Sequence, residues 1–328
     1  MAGPYRDQRS FGRGRAGAPT DIPIARLAEV DPLMCVPVVD SDEALGIFAQ
    51  LITHPPIGAA RPDFDVRPAT ELHATNDGKK RFFTNRASDW PVYNHLNVGH
   101  FVFEPGVGAF NHVDWASATA ELQRRRLNTF TRNDSPMRGI PRDVVADAST
   151  LPARNPRILI RDVVHSSNPR KVWAALAPAD VIVTNKAPYL VFLNTPLIVQ
   201  AYLLGVLGSA TCDWFGHLRI NLNLNFFIFN TIPIPLFDAR DDRAARLATL
   251  AGRLALMSEG DYGEWVALGR PIEDPGERAE SIAELDAIAS LLYGLYDAQL
   301  ELVFDRPTRS SVADVRRYRE KWLAGDVV

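Results

Sequence analysis

With 328 residues, 46% of them hydrophobic, the chain is long enough for two compact domains and can bury a real core, so a soluble globular protein is expected. Its two cysteines, Cys35 and Cys212, belong to no CxxC pair, which excludes zinc ribbons and multi-disulfide scaffolds and reads as buried free thiols in a reducing cytoplasm. A net charge of -3 gives no support for nucleic-acid binding when taken over the whole chain.

Residues 1–20, MAGPYRDQRSFGRGRAGAPT, are rich in Gly, Arg and Pro and nearly free of aliphatic side chains, so a disordered basic tail is expected. Gly12, Gly14 and Gly17 stand in GxGxxG spacing, but no strand precedes them to make a phosphate loop. Residues 21–90 read as a lead-in segment. It holds a short apolar strand, Met34 to Val39, then a helix with Ser41 and Asp42 as N-cap candidates, running through Leu45, Phe48 and Leu51. Pro55 and Pro56 end that helix.

From Pro91 to Phe237 short strands alternate with loops rich in Pro, Asn and Gly, and one or two helices interrupt them. This pattern is that of an α+β domain. Arg157 to Val164 reads as a strand, and Thr195 with Pro196 as the N-cap and first residue of an apolar helix. That apolar stretch, Pro196 to Trp214, contains Gln200 and Asp213, which favours a core helix over a membrane span. Ile220 to Phe229 alternates as a strand does. Beyond Asp238 the apolar positions take helical spacing: Leu247, Leu250, Leu254 and Met257, then Ile282, Leu285, Ile288, Leu292 and Leu295. Residues 238–328 are therefore expected to form a C-terminal helical bundle.

The modest net charge conceals a segregation. Residues 241–328 hold 11 Lys/Arg against 17 Asp/Glu, residues 1–119 hold 11 against 14, and residues 120–240 hold 14 against 8. A basic centre between acidic flanks is what a molecule shows when one part faces phosphate, ordinary surface arginine being the other explanation.

Within that centre, Arg157 and Arg161 are four apart and would project from one face of a strand. An arginine fork meets guanine O6 and N7, or phosphate oxygens, bidentately. Asn221, Asn223 and Asn225 alternate with Leu222, Leu224 and Phe226, placing three amides on one face. An Asn can pair with adenine N6 and N7; such residues also sit at solvated sheet edges or satisfy loop backbone. Arg124, Arg125 and Arg126 form a run suited to clamping a DNA backbone or to a solvated helix face. Arg170, Lys171 and Arg219 complete the candidate DNA-binding set.

Catalytic chemistry is harder to find. A base-flipping aminomethyltransferase needs an acceptor and an aromatic platform in a (D/N/S)PP(Y/F) string. The nearest match, His54-Pro55-Pro56-Ile57, has neither and reads as a helix stop. His95, His100 and His112 could meet Asp114 around a metal, but their spacing fits no standard ligand pattern and loop histidines are the simpler reading. Neither a GxSxG elbow nor a PD...(D/E)xK cluster is visible, so no catalytic residue and no metal ligand is assigned.

Several strings occur in an order that resembles a known family. PVYNHLNVGHF at 91–101 resembles the PLYEGKxxxxF signature that opens the target-recognition region of type IIG restriction enzymes and of BREX-class phage-defence methyltransferases. LHATNDGKKRFF at 72–83 is similar to their MTNDSxLF stretch, and ILIRDVVHSSNPRKVWAALAPADVIVTNKAPYLVF at 158–192 to their RDIxxxTNERTxIAALLP segment. LLGVLGSATCDWFGHLRINLNLNFFIFNTIPIP at 203–235 resembles LLALLNSxxxDYxxRxKxGGxxLNFFILxxLPVP, and IAELDAIASLLYGLYDAQLELVFD at 282–305 resembles the closing helices. The chain differs from the pattern at Asn94, His95 and Leu96, which replace EGK, and at Arg219 to Leu222, which replace KxGG.

The resemblance implies a DNA target-recognition domain over 91–237, a C-terminal helical domain over 238–328, and double-stranded DNA as partner. It also implies that methyl transfer to adenine N6, with S-adenosylmethionine, sits on a separate methyltransferase subunit of a split or truncated restriction-modification or phage-defence system. A non-catalytic protein-protein scaffold, or a degenerate remnant of such a system, is the competing expectation. An enzyme built on the His95, His100, His112 and Asp114 group is a third.

Overall fold

Ser41 lies in extended backbone and its Oγ accepts a hydrogen bond from the Ala44 N–H at 3.1 Å, which starts helix α1 (Asp42–Leu51) where the cap chemistry predicts. Asp42 and Glu43 in its first turn complement the helix dipole, while Ala44, Ile47, Phe48 and Leu51 form the buried stripe. The computed structural model describes residues 39, 41–79, 82–84, 86–165, 167–305 and 310–326. The expected basic tail, its glycine spacing, Cys35 and nearly all of the Met34 to Val39 strand lie outside these residues.

The strands are β1 (Asp65–Ala69), β2 (Trp90–Tyr93), β3 (Phe101–Val102), β4 (Asn111–Val113), β5 (Arg157–Ile160), β6 (Ala174–Ala177), β7 (Ile182–Val183) and β8 (Tyr189–Leu193). They form a five-stranded mixed sheet in the order β1-β8-β5-β6-β3 and a three-stranded sheet in the order β4-β2-β7. Every residue of β5 and β6 is buried, as befits central strands covered on both faces. β1 pairs with β8 alone, antiparallel with Val66 opposite Phe192, and carries Pro68, a residue suited to an edge because it cannot donate to a ladder.

The remaining helices are α2 (Ala74–Lys79), α3 (Trp115–Thr129), α4 (Arg142–Ala146), α5 (Leu197–Gly208), α6 (Ala210–Arg219), α7 (Phe226–Phe229), α8 (Asp242–Ala255), α9 (Pro275–Leu292), α10 (Asp297–Phe304) and α11 (Val312–Ala324). The fold is α+β, with several helices gathered toward the C-terminus as their 3.6-residue spacing predicts.

Alternation along β5 divides the core. Ile158 and Ile160 face a large cluster with α1, α5, α6, α8 and α9, whereas Leu159 joins Ala175, Tyr189 and Val191 on the other face. The large cluster runs through the division expected at residue 237, because Leu247, Leu254 and Leu285 pack with Leu203, Leu204 and Leu207. The lead-in is likewise part of the same body, since its strand β1 belongs to the main sheet. A third cluster, including Leu72, Val92, Val113, Ala118 and Leu122, joins the small sheet to α3.

The structure corrects three expectations about local elements. The predicted strand at 157–164 ends at Ile160, with Val163 making only an isolated bridge to Asn223. Ile220 to Phe229 is a loop followed by the single turn α7, because the Asn225 side chain accepts from the Ile228 N–H at 2.9 Å and so caps a helix. Thr195 does not cap the apolar helix: its hydroxyl donates to the Leu193 carbonyl at 3.0 Å, and Pro196 stands at the cap position.

The apolar stretch is two helices with a 59° bend, broken where Ser209 turns extended and its Oγ accepts from the Cys212 N–H to start α6. Among the described residues no single helix is long and apolar enough to cross a membrane.

At the end of α5, Gly208 touches Phe101, a buried residue whose backbone φ is 72°, in the left-handed region that a bulky side chain enters only when packing compels it. A Cβ on Gly208 would overlap the Phe101 ring. Gly208→Ala is expected to cost about 1–3 kcal/mol in urea unfolding, as overpacked cores do. An unchanged midpoint would show that this contact is slack.

Candidate nucleic-acid interface

Asp114 caps α3 by accepting from the Ser117 N–H at 2.8 Å, and successive residues of the helix then point about 100° apart, as its 3.6-residue turn requires. Arg124, Arg125 and Arg126 therefore cannot act as one clamp. Arg124 is exposed and pairs with Glu121 at 2.7 Å. Arg125 reaches Asp77 of α2 at 2.6 Å and Glu121 at 2.8 Å. Hydrogen bonds from Arg124 and Arg125 hold the Glu121 carboxyl down to about 2. Arg126 turns inward and is buried, its Nη2 donating to the Val144 carbonyl at 3.0 Å and to Thr150 Oγ1 at 2.8 Å.

The pair expected to read bases is also taken apart. Arg157 is buried and salt-bridged to buried Glu71 at 2.7 Å, donates to the Val181 carbonyl at 2.8 Å, and lies 5.4 Å from the Tyr189 ring centre. Arg161 follows the strand's last residue, donates to the Val163 carbonyl at 3.1 Å and covers the Trp173 ring at 5.4 Å. A shared solvent face for the two does not form.

Buried Arg170 donates to the carbonyls of Gly208 and Ser209 at 2.6 and 3.2 Å, placing its charge where α5 exposes its last acceptors. Lys171 is buried and donates to the His165 carbonyl, and Arg219 sits 5.9 Å from the Phe215 ring. Asn221, Asn223 and Asn225 are exposed, but as part of a loop and a helix cap rather than one face of a strand. Leu222 breaks the expected alternation, being 55% exposed.

The histidines disperse as well. His100 Nε2 lies 2.8 Å from the Gly208 carbonyl, and desolvation pushes its pKa well below the ordinary histidine value. His95 lies in a short 3-10 turn, His112 on β4, and Asp114 is occupied as the cap of α3. Among the described residues no group of three or more His, Cys, Asp or Glu side chains is placed to hold a metal ion.

What the fold does assemble is a cleft of about 740 Å³. Edge strand β1 supplies one side; Arg125, Arg126 and Thr129 of α3 and the loop 133–139 supply others, and Asn230 stands just beyond α7. Most of its lining charges are matched. Arg67 pairs with Asp65 at 2.8 Å, Asp134 with Arg132 at 3.0 Å, Glu71 with Arg157, and Arg125 with Asp77. Arg126 and Arg138 line the cleft with no carboxylate partner among the described residues.

The lobe formed by residues 115–156 carries two further exposed arginines without a carboxylate partner among the described residues, Arg142 at the start of α4 and Arg154, whose guanidinium covers the Trp115 ring at 5.3 Å. Arg138, Arg142 and Arg154 were not singled out from the sequence. Its only relevant signal was the basic excess of residues 120–240, which contains them without marking which cations are free.

No protein-family model matches this chain, and no curated protein shows significant sequence similarity to it.

Proposed function

We propose that the chain supplies the DNA-binding, sequence-reading part of an adenine-N6 DNA methyltransferase system of the restriction-modification or phage-defence kind. Methyl transfer and its S-adenosylmethionine cofactor belong, on this reading, to a methyltransferase unit outside these residues, and the place of action is the cytoplasm. The ordered strings between residues 72 and 305 support the system; the free arginines support the contact with DNA.

The observation that carries the reading is the set Arg138, Arg142 and Arg154: exposed, unmatched by carboxylates among the described residues, and all on the lobe beside the cleft. Unmatched arginines are the ones able to displace counterions from phosphate without first surrendering a protein partner. Asn221 and Asn223, exposed on the loop after α6, remain available as amides for base edges.

The test is anisotropy of labelled duplexes over a range of salt concentrations. Replacing Arg138, Arg142 and Arg154 together by Ala should weaken binding to every duplex. It should also shrink the slope of log affinity against log salt by about two to three units if each meets one phosphate. Arg124→Ala, which removes a cation already held by Glu121, should change the slope far less. Wild-type affinity and slope in the triple variant would remove this lobe from the DNA interface.

A further inference from the structure

Arg161, the residue after β5, is held by its middle and left open at its tip. Its Nε donates to the Val163 carbonyl at 3.1 Å, and its guanidinium lies 5.4 Å from the Trp173 ring centre. The ring is itself fixed, because Trp173 Nε1 donates to the Arg170 carbonyl at 3.1 Å. Neither Nη of Arg161 makes a hydrogen bond among the described residues, and neither is sealed from solvent as Nε and Nη1 of Arg126 are. Two donor nitrogens therefore face water from a guanidinium whose plane the fold has already set.

No carboxylate holds them. Asp162, next in the chain, is paired with Lys186 at 3.0 Å. Burial lowers the Arg161 pKa and the Glu104 charge opposes this, yet Glu104 forms no ion pair with it among the described residues.

Alongside, the chain returns as the loop after α6. The Val164 N–H donates to the Leu222 carbonyl at 2.8 Å and the Leu224 N–H to the Asp162 carbonyl at 2.7 Å, which sets Asn223 opposite Val163. The carbonyl that holds the Arg161 fork thus belongs to the residue paired with Asn223. The Asn223 side chain is exposed and makes no hydrogen bond among the described residues.

A fork fixed in one plane suits a planar target. A phosphate accepts charge-assisted bonds from many directions, whereas O6 and N7 of guanine lie in one plane along one edge. Fixing the guanidinium beforehand also reduces the entropy lost on binding. The target rests on the DNA-binding reading: we propose that Arg161 is a specificity-determining residue that reads the major-groove edge of one guanine through its two Nη groups. Trp173 is its positioning residue, and Asn223 stands ready for a neighbouring base.

The experiment uses the full chain and a pool of randomised duplexes. Selection with the wild type is expected to enrich a site with guanine at one fixed position. Arg161→Ala should lose about tenfold or more in affinity for that site and little for a scrambled duplex. Replacing that guanine by 7-deazaguanine, which carries C–H in place of N7, should cost the wild type severalfold and Arg161→Ala nothing. Arg161→Lys keeps the cation without the planar fork, so it should lose the guanine preference while keeping the slope of affinity against salt. Trp173→Leu should do the same more weakly. If Arg161→Ala fails to fold, Arg161→Lys and the modified base decide the matter.

Equal losses on selected and scrambled duplexes, with a salt slope smaller by about one unit, would make Arg161 a phosphate contact and overturn the assignment. So would an enriched site without a fixed guanine, or a guanine preference that survives in both Arg161 variants. The DNA-binding reading stands in each of these cases. A wild type that enriches no sequence overturns the base reader, and one that binds no duplex at all overturns the DNA-binding reading with it.

Discussion

Arg157→Ala is expected to destabilise the protein by about 3–5 kcal/mol, because it strands the buried carboxylate of Glu71 without a counter-charge. Burial already pushes the Glu71 pKa above its ordinary value, with Arg157 pulling in the opposite direction, so removing the arginine leaves desolvation unopposed. Urea unfolding of the variant measures the loss. The double variant Glu71→Leu with Arg157→Met should recover most of it, since an apolar pair of similar volume often replaces a buried ion pair without penalty. A normal midpoint accompanied by lost duplex binding would return Arg157 to the role of a DNA reader.

Arg61→Ala is expected to cost as much or more. The Arg61 side chain is fully buried and grips Asp63 with two hydrogen bonds, at 2.8 and 3.0 Å. It also donates to the carbonyls of Pro55 and Ile234 at 2.9 Å each and of Pro235 at 3.3 Å, and it stacks 4.2 Å from the Phe64 ring centre. One side chain thus ties the loop after α1 to the segment that leads into α8. Its removal leaves the buried Asp63 carboxylate without its counter-charge, held only by the Phe237 N–H, and takes a donor from three carbonyls, a loss of about 3–5 kcal/mol. Arg61→Lys should rescue only part, because an ammonium cannot reproduce the planar fork. Stability within about 0.5 kcal/mol of wild type, the usual range for an innocuous surface change, would refute this account.

The two internal ion pairs belong to a wider pattern. Arginine serves this fold mainly as a tether between distant backbone segments: Arg170 on the end of α5, Arg278 on the carbonyls of Leu254 and His100, and Arg319 on the Leu295 carbonyl. Against that background a cation left without a tether stands out, which is why Arg138, Arg142 and Arg154 carry the functional argument.

Much of the architecture was legible from residues a few positions apart. Ser41 with its acidic first turn announced α1, the spacing of Leu247, Leu250 and Leu254 announced α8, and the mixture of short strands with terminal helices announced an α+β fold. The basic excess of residues 120–240 marked the segment that contains the free cations. These are local quantities, because capping, periodicity and composition depend on neighbours along the chain.

Which arginines are free was decided elsewhere. Glu71 lies 86 residues from Arg157, and the carbonyl of Pro235 lies 174 residues from Arg61; no sequence pattern relates either pair. The loop at Ile220 to Phe229 tells the same story at the backbone level, for its alternation suited a strand until Asn225 capped a helical turn and Val163 offered a single bridge. Periodicity assigns a side chain to a face, but only the chain's return to that face determines whether it meets a carboxylate, a carbonyl or water, and that meeting sets the charge available to a ligand.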